Sequence, residues 1–216
     1  MALGMPKKLV NWLTWQERHT LIEFFCKVMK PSEEDILLEI GGPTGGAKQI
    51  VSLFKKVIVI NLNTNRESLQ RCNYPEDTQI IVGDGCMLPL KNESVDFLFC
   101  NATLEHIPKE LWEFLAQEVA RVALKGFFIS APNYWFPFEP HYLMPFFQFM
   151  PEGFKRKLII NYGLTIGHIS QTNYSRIHLP KKRELQRLFP DALVEGVGWG
   201  IPLIIPIHWV CWEKKG

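Results

Sequence analysis

The chain has 216 residues, of which 47% are hydrophobic and 21% charged, so it has enough apolar material for one substantial core. Its formal net charge of +2 does not favour a nucleic-acid partner. Its five cysteines include no Cys-x-x-Cys pair, which argues against a disulfide framework or a structural zinc site. The sequence shows no signal-peptide pattern and no apolar run long enough to span a bilayer. We therefore expect a single-domain, cytoplasmic protein.

The N-terminal segment predicts a helix. Thr14 and Glu17 have the spacing of a capping box, with Thr14 as the N-cap residue. Apolar residues then recur on one face, and Pro31 is expected to end the helix near Lys30. The sequence thus predicts an N-terminal helical extension over residues 1–31, packed across a sheet or over a ligand.

Alternating strands and helices are predicted for the middle of the chain. Short apolar runs predict five strands, at residues 36–40, 57–60, 79–82, 95–100 and 126–130. Helices are predicted between them, at residues 47–54 and 66–71 and after Pro108, which suits the first turn of a helix. Because strands that alternate with helices are joined by right-handed crossovers, we expect an α/β protein with a doubly wound parallel sheet and helices on both faces.

The alternation stops at the end of the fifth strand. Residues 132–179 are rich in aromatic residues and proline and begin as a long loop without clear periodicity, which is typical of a lid or a binding surface. The alternative is that these rings form a second, small core. Two further helices, at 152–160 and 180–189, and two final antiparallel strands, at 192–199 and 207–212, are predicted. The apolar residues 199–212 would also suit a membrane surface, but the final strand explains them better.

A glycine-rich turn follows the first strand directly. Residues 41–46 read Gly-Gly-Pro-Thr-Gly-Gly and precede the helix predicted at 47–54. Glycine permits a tight turn and a close approach of the backbone to a ligand. The start of a helix adds free N–H groups and a partial positive charge. A turn of this kind at the carboxyl end of a parallel strand is suited to holding a polar ligand.

Three stretches carry the functional signal. They are Leu38-Glu-Ile-Gly-Gly-Pro-Thr-Gly45, Gly83-Asp-Gly-Cys-Met-Leu-Pro-Leu90 and Val95-Asp-Phe-Leu-Phe-Cys-Asn-Ala-Thr-Leu-Glu-His-Ile107. Together they resemble the class I S-adenosylmethionine-dependent methyltransferases, in particular the type 11 group that includes quinone-biosynthesis and other small-molecule enzymes. The resemblance implies a mostly parallel, seven-stranded sheet of order 3-2-1-4-5-7-6 with the last strand antiparallel. It also implies methyl transfer from S-adenosylmethionine to a small acceptor, and the aromatic residues 134–149 favour an apolar or lipid-like one.

The same resemblance implies a set of cofactor-binding residues. Glu39, Gly41 and Gly45 would shape the methionine pocket, Asn61 would face the ribose, Asp84 with the N–H of Gly85 or Cys86 would hold the adenine, and the backbone carbonyl of Asn101 would accept from the cofactor's amino group. The glycines and the Asp-Gly pair also have an ordinary interpretation as turn residues. Glu39 is harder to explain structurally, because a carboxylate inside a buried strand needs a partner.

Candidate bases are few. Methyl transfer requires a base only if the acceptor must lose a proton. His106, just before a predicted helix, and His141 and Tyr142 in the aromatic segment are the candidates. The structural alternative for His106 is a histidine that packs against the start of the helix. The spacing of the histidines indicates no metal site.

Two positions depart from the family pattern. Pro43 replaces the middle glycine of the turn, and Asn61 replaces the acidic residue that usually ends the second strand. A neutral hydrogen bond is weaker than a charge-assisted one, so we expect cofactor binding weakened by about tenfold. Asn63 is another possible ribose partner. The departures motivate an alternative, a non-catalytic methyltransferase-like module that binds a partner protein. A nicotinamide dehydrogenase is disfavoured, because it would need Gly-x-Gly-x-x-Gly and an acidic residue at position 61.

Overall fold

The computed structural model describes residues 7–41, 50–62, 74, 78–139, 144–162, 177–198 and 205–215. Its centre is a seven-stranded sheet. The strands of this sheet are β1 (Ile36–Ile40), β2 (Lys56–Asn61), β3 (Gln79–Val82), β4 (Val95–Asn101), β5 (Ala123–Pro132), β8 (Leu193–Val197) and β9 (His208–Lys214), and two short strands between β5 and β8 form a separate sheet. The order across the large sheet is β3-β2-β1-β4-β5-β9-β8. Strands β1 to β5 are parallel, and β9 is antiparallel to both β5 and β8. Counting only the strands of this sheet, the predicted order 3-2-1-4-5-7-6 is confirmed.

Four α-helices are described. They are α1 (Lys7–Met29), α2 (Trp112–Val122), α3 (Glu152–Tyr162) and α4 (Lys182–Leu188). Short 3-10 turns occur at Val51–Leu53, Leu104–His106, Lys109–Leu111 and Phe147–Phe149. The helix predicted at 66–71 and most of the helix predicted at 47–54 lie outside the described residues. No described helix combines the length and the apolar character that crossing a membrane would require.

The prediction of Thr14 as an N-cap is wrong. Helix α1 begins at Lys7, so Thr14 lies in its interior. The capping-box spacing misled because the residues before it continue the helix, where a threonine costs only a fraction of a kcal/mol, about 0.7 at most. The predicted end is close to the observed one. Lys30 adopts a left-handed conformation (φ 51°) and donates its N–H to the Cys26 carbonyl at 3.0 Å, and Pro31 follows.

Helices cover both faces of the sheet, and each face has its own core. On one face the fully buried Phe25 of α1 contacts three phenylalanines of the sheet edge-on. Its ring centroid lies 6.4 Å from Phe97, 5.3 Å from Phe99 and 5.5 Å from Phe128. Such aromatic pairs stabilise a core by about 0.5–1.5 kcal/mol beyond their buried area. The segment predicted as an extension is therefore part of the main core.

The opposite core is formed by α2 and the α4 region. Its buried residues include Leu115 and Val119 of α2 and Leu185 of α4, packed against the other face of the sheet. Phe189 follows α4 and stacks at a tilt on Phe127 of β5, with a centroid distance of 4.9 Å. Leu111, which directly precedes α2, lies in a 3-10 turn and is 37% exposed.

The aromatic segment is more ordered than a long loop. After β5 the chain forms a small two-stranded sheet from β6 (Phe138–Glu139) and β7 (Met144–Pro145). The 3-10 turn Phe147–Phe149 and helix α3 follow. Buried Phe147 and Ile159 form a separate small cluster with Met144, Met150 and Ile177. The described part thus contains a small separate core of the kind that the sequence left open as an alternative.

The last strand closes the sheet and fastens two helices. Strand β9 lies between β5 and β8 rather than at an edge. At its end, Lys214 Nζ donates to the carbonyl of Met29, the last residue of α1, at 2.9 Å. Lys215 Nζ donates to the carbonyl oxygens of Ala120 and Ala123 at 2.9 and 2.8 Å, at the end of α2. Cationic side chains at helix C-termini complement the helix dipole.

Candidate functional site

A cavity opens at the carboxyl edge, the edge of the sheet at which β1 to β5 end. It has a volume of about 300 Å³ in the described part of the chain. Its lining includes the residues Gly41, Asn61, Asp84, Gly85, Ala102, Thr103 and His106. The strand order reverses between β1 and β4, since β2 and β3 are added on one side of β1, and β4 and β5 on the other. Ligands of doubly wound sheets bind at such switch points.

Gly41 closes the end of β1 in a conformation that other residues rarely adopt. Its φ is +87°, and its N–H donates to the Ile60 carbonyl at 2.8 Å. A Cβ at this position would lie 2.0 Å from Thr103 Oγ1. The Thr103 hydroxyl is itself 3.2 Å from the carbonyl oxygens of Ile40 and Asn101, so it links the ends of β1 and β4. Glycine is therefore required both by the backbone angle and by this close contact.

The Asp84 turn forms the next wall of the cavity. Asp84 Oδ1 accepts the N–H of Cys86 at 2.8 Å, and the Asp84 carbonyl accepts the N–H of Met87 at 3.0 Å. Gly85 lets the turn approach β1 closely, because a Cβ there would lie 2.9 Å from Ile40 Cγ2. Asp84 thus serves the turn and borders the cavity at once. The N–H of Cys86 already has its acceptor within the turn, which leaves Gly85 as the better of the two predicted adenine partners.

Helix α2 fixes the loop that follows this turn. Glu118 Oε2 accepts the Leu88 N–H at 2.6 Å. Arg121 donates to the carbonyl oxygens of Leu88 and Leu90 at 3.2 and 2.7 Å and pairs with Glu118 at 2.6 Å. The hydrogen bond from Arg121 holds the pKa of the Glu118 carboxyl below its usual value. The sequence analysis missed this pair. Its i,i+3 spacing is visible in the sequence, but the loop it reaches is not.

Two predicted residues stand behind the cavity rather than in its wall. Glu39 and Asn101 are not among the residues that line its described part. Glu39 is 2% exposed and accepts a hydrogen bond from the Tyr74 hydroxyl. The Asn101 side chain accepts one from Ser130 on β5. Glu39 therefore has the partner that a buried carboxylate needs, and that partner is a protein side chain rather than a ligand.

The end of β4 reaches the cavity through the residues after Asn101. Ala102 has a φ of +50°, a left-handed conformation that is uncommon for alanine, and its N–H donates to the Ser130 carbonyl at 3.0 Å. The strain directs the chain into the 3-10 turn that carries His106, whose N–H donates to the Thr103 carbonyl at 3.0 Å. Backbone strain of this kind concentrates at functional sites.

His106 borders the cavity, as predicted for a candidate base. The other predictions of this kind, His141 and Tyr142, lie outside the described residues, as do Gly45, Pro43 and Asn63. In the part of the chain that the structure covers, no three His, Cys, Asp or Glu side chains are grouped to hold a metal ion.

Cys86 also lines the cavity but is unsuited to be a nucleophile. Burial, together with the nearby negative charge of Asp84, raises the pKa of its thiol to about 11. The thiol therefore stays protonated at neutral pH, and the thiolate is the reactive form. Cys86 is better described as a small apolar wall residue.

The sheet order and a cavity at its switch point define a Rossmann-like methyltransferase fold. Three solved structures share it. A protein from Pyrococcus horikoshii has 15% sequence identity and a TM-score of 0.63, covering 96% of this chain and 93% of that one. Geranyl diphosphate C-methyltransferase from Streptomyces coelicolor, solved with Mg²⁺, geranyl diphosphate and S-adenosyl-L-homocysteine, has 12% identity and a TM-score of 0.60, covering 96% and 82%. A SAM-dependent methyltransferase from Aquifex aeolicus has 14% identity and a TM-score of 0.56, covering 97% and 98%.

One family model matches part of the sequence. Residues 38–129, from β1 into β5, match a model described as a methyltransferase domain. The resemblance based on the three motifs is therefore confirmed for this stretch of the chain. No curated protein matches the chain. At identities of 12–15% the similarities to solved structures establish the fold and no more.

Proposed function

We propose that the protein transfers a methyl group from S-adenosylmethionine to a small, apolar or lipid-like acceptor. The observation that supports this most directly is the convergence of four strand ends on one cavity. Gly41, Asn61 and Asp84 come from β1, β2 and the turn after β3, and the Ala102–His106 segment follows β4. These are the places where the family motifs of the sequence put the cofactor.

The residues present fit the cofactor. A cavity of about 300 Å³ is at the lower end of the range for small-molecule sites. Gly41 lines the cavity at the end of β1, where the family motif implies the methionine end of the cofactor. Asp84 keeps acceptor capacity for an adenine amino group, because a carboxylate offers about four lone-pair sites and Cys86 takes one. The Asn61 amide would hold the ribose.

Glu39, Asn101 and Thr103 act as positioning residues in this proposal. Glu39 of β1 accepts a hydrogen bond from the hydroxyl of Tyr74, which joins that residue to β1. Asn101 and Ser130 join the ends of β4 and β5. Thr103 links the ends of β1 and β4 next to Gly41. A cavity wall held at several points needs little reorganisation when a ligand binds.

When bound, the cofactor supplies an activated methyl group on a sulfonium. What the protein must add is alignment of the acceptor and exclusion of water. The imidazole of His106 at the cavity wall can take a proton from an acceptor that must lose one, since histidine is the commonest general base near neutral pH. His141 and Tyr142 remain predictions for the same role.

The aromatic segment supports an apolar acceptor. It begins at Asn133, immediately after β5, and so leaves the sheet at the same edge as the cavity. Some of its rings form the satellite core with Phe147, while Trp135, Phe146 and Phe149 are 53%, 58% and 43% exposed. The satellite core accounts for only part of the segment, and its exposed rings are available to an apolar molecule.

Calorimetric titration with S-adenosylhomocysteine tests the proposal. The wild-type protein should bind, and Asp84→Asn should lower the affinity by at least about tenfold, because a charged acceptor is replaced by a neutral amide. The amide retains Oδ1 for the Cys86 N–H, so the melting temperature should change little. Asp84→Ala, which removes that acceptor as well, should weaken binding and also lower the melting temperature.

Asp191→Ala is a suitable control, since Asp191 is an exposed residue in the turn after α4. It should leave affinity unchanged. Wild-type affinity in Asp84→Asn would make Asp84 a turn residue only. If the wild-type protein binds neither S-adenosylhomocysteine nor S-adenosylmethionine, the proposed methyltransferase activity is excluded. A non-catalytic module that binds a partner protein would then be favoured.

A further inference from the structure

An exposed group of aromatic rings lies outside the cavity. We call Tyr134, Trp135, Phe146 and Phe149 the aromatic surface. Three of its rings touch one another, with centroid distances of 5.0 Å for Tyr134–Trp135, 5.4 Å for Tyr134–Phe149 and 6.0 Å for Trp135–Phe149. Trp135, Phe146 and Phe149 are each more than two-fifths exposed. Exposed apolar residues that cluster, rather than occur singly, mark interaction sites.

Basic side chains border these rings. Lys181 Nζ lies 4.8 Å from the ring centroid of Tyr134 and 5.6 Å from that of Trp135. Lys155 of α3 lies 5.8 Å from the Phe147 ring, in the turn that also carries Phe149. The first half of α3 reads Glu-Gly-Phe-Lys-Arg-Lys, with Arg156 and Lys157 exposed. Lys155 also pairs with Glu152 at 3.8 Å, so Lys181 is the cation in direct contact with the aromatic surface, and Arg156 and Lys157 add exposed positive charge on α3.

The aromatic surface is connected to the cavity wall by backbone hydrogen bonds. The Tyr134 N–H donates to the Pro180 carbonyl at 3.4 Å, and the His178 N–H donates to the Glu105 carbonyl at 2.8 Å. Glu105 precedes His106, which lines the cavity. The short segment 177–181 thus lies between the two features, and both occupy the carboxyl edge of the sheet.

We propose that the aromatic surface binds the surface of a lipid bilayer that contains anionic lipid. Tryptophan and tyrosine have an apolar body and a polar tip and accumulate at the boundary between headgroups and acyl chains. Lysine and arginine beside them attract anionic headgroups. A protein partner fits less well, because protein interfaces are enriched in aromatic residues but depleted of lysine. The proposal goes beyond methyl transfer and does not depend on it, since vesicle binding requires no cofactor.

Bilayer binding would bring the cavity mouth next to the acyl layer. An apolar acceptor dissolved in that layer would then have a short path to the strand ends, without crossing water. Binding to a bilayer would therefore specify where the acceptor comes from, namely the acyl layer, as well as its chemical class. This consequence alone rests on the proposed function.

Flotation with two kinds of vesicle provides the test. Wild-type protein should float with vesicles of phosphatidylcholine and phosphatidylglycerol, and less with phosphatidylcholine alone. Added salt should weaken binding to the former. The double variant Trp135→Ser, Phe149→Ser should lower the partition coefficient by at least about tenfold, because it removes two large apolar groups. Arg156→Glu with Lys157→Glu should abolish the preference for anionic vesicles.

Leu124→Ser is the matched control. Leu124 is 45% exposed but lies near the start of β5, at the opposite edge of the sheet. It should bind vesicles as the wild type does, and each variant should keep a wild-type melting temperature. The proposal is overturned if wild-type protein binds neither vesicle, or if the two aromatic substitutions leave flotation unchanged. It is also overturned if the surface instead forms a dimer that these substitutions dissociate.

Discussion

The two edges of the sheet use polar residues for opposite purposes. At the amino edge, where the parallel strands begin, Lys125 pairs with both Asp35 and Asp96, the latter at 2.9 Å. Asp96 also accepts the Ile36 N–H at 2.8 Å, so each of the two carboxylates there has a partner within the protein. At the carboxyl edge Asn61 and Asp84 border a cavity. Ion pairs within the protein thus occupy one end of the parallel strands, and a cavity lined by polar residues occupies the other.

Left-handed residues occur at both edges. Gly41 and Ala102, with φ values of +87° and +50°, lie at the carboxyl edge, and Glu93, with a φ of +49°, precedes β4 at the amino edge. The edges are therefore distinguished by their polar side chains rather than by backbone strain. At the amino edge these side chains pair with Lys125, so substitutions at the two edges should have separable effects.

The largest effect is expected for Gly41→Ala, which changes the carboxyl edge and leaves the amino edge as it is. The new Cβ would lie 2.0 Å from Thr103 Oγ1 at a φ of +87°. We expect a loss of stability of about 2–4 kcal/mol and no detectable binding of S-adenosylhomocysteine, measured by thermal unfolding and calorimetry. Gly153→Ala is the control, because a Cβ at Gly153 would meet nothing within 4 Å. If Gly41→Ala folds and binds like the wild type, the strained turn has no role in the site.

A smaller effect is expected for Lys125→Met at the amino edge. It leaves the nearly buried carboxylate of Asp35 without its cation, but Lys125 itself is half exposed and solvent screens the pair. We expect a loss of about 1–2 kcal/mol in the free energy of unfolding, with unchanged cofactor affinity. An equal loss of affinity would show that the two edges are not independent.

The pH dependence of the stability of Lys125→Met tests whether the lost contribution comes from the ion pair. Burial acts to raise the pKa of Asp35, but hydrogen bonds from Lys125 and Ser32 outweigh it and hold the pKa below the ordinary 3.8. The contribution of Asp35 is therefore full above that value and is lost as the pH falls through its lower folded pKa. Hydrogen bonds to Asp35 and Asp96 raise the pKa of Lys125 above 10.5, so its contribution is lost at alkaline pH. The difference between the wild type and Lys125→Met should be greatest between about pH 5 and 9.

The smallest effect is expected for Asn61→Asp, which adds a charged acceptor at the cavity. If Asn61 faces the ribose, the charge-assisted bond should tighten binding of S-adenosylhomocysteine by about tenfold, with little change in melting temperature. The measurement is a calorimetric titration of both proteins at the same pH. Unchanged affinity would mean that the ribose is held by another residue.

Local patterns were sufficient to predict the sheet. The apolar runs predicted all seven strands of this sheet to within a few residues, and their alternation with helices predicted that the first five are parallel. The order of the strands came from the family resemblance. Gly41 and the pair Asp84-Gly85, which the motifs singled out, line the cavity. Each of these features depends on residues close together in the chain, where spacing and residue type carry the information.

Features that depend on distant contacts were missed. Thr103 meets Gly41 only because β1 and β4 are neighbours, and Glu118 and Arg121 reach a loop about thirty residues away. Glu39 has its partner in Tyr74, thirty-five positions along the chain. Sequence spacing cannot show such pairs, since tertiary packing alone brings them together. The Thr14 prediction failed for a different reason, because a genuine capping motif occurred within a continuing helix.

The position of β9 between β5 and the edge strand β8 has a consequence for how the chain folds. During synthesis β5 has no partner on that side until residues 208–214 have left the ribosome, and its row of free N–H and C=O groups remains an open edge. The nascent sheet should therefore depend on chaperones or on rapid completion, and pairings over such long sequence separations form slowly. Removal of the last strand by a protease or a premature stop codon would expose the same edge and lead to aggregation rather than to a smaller soluble domain.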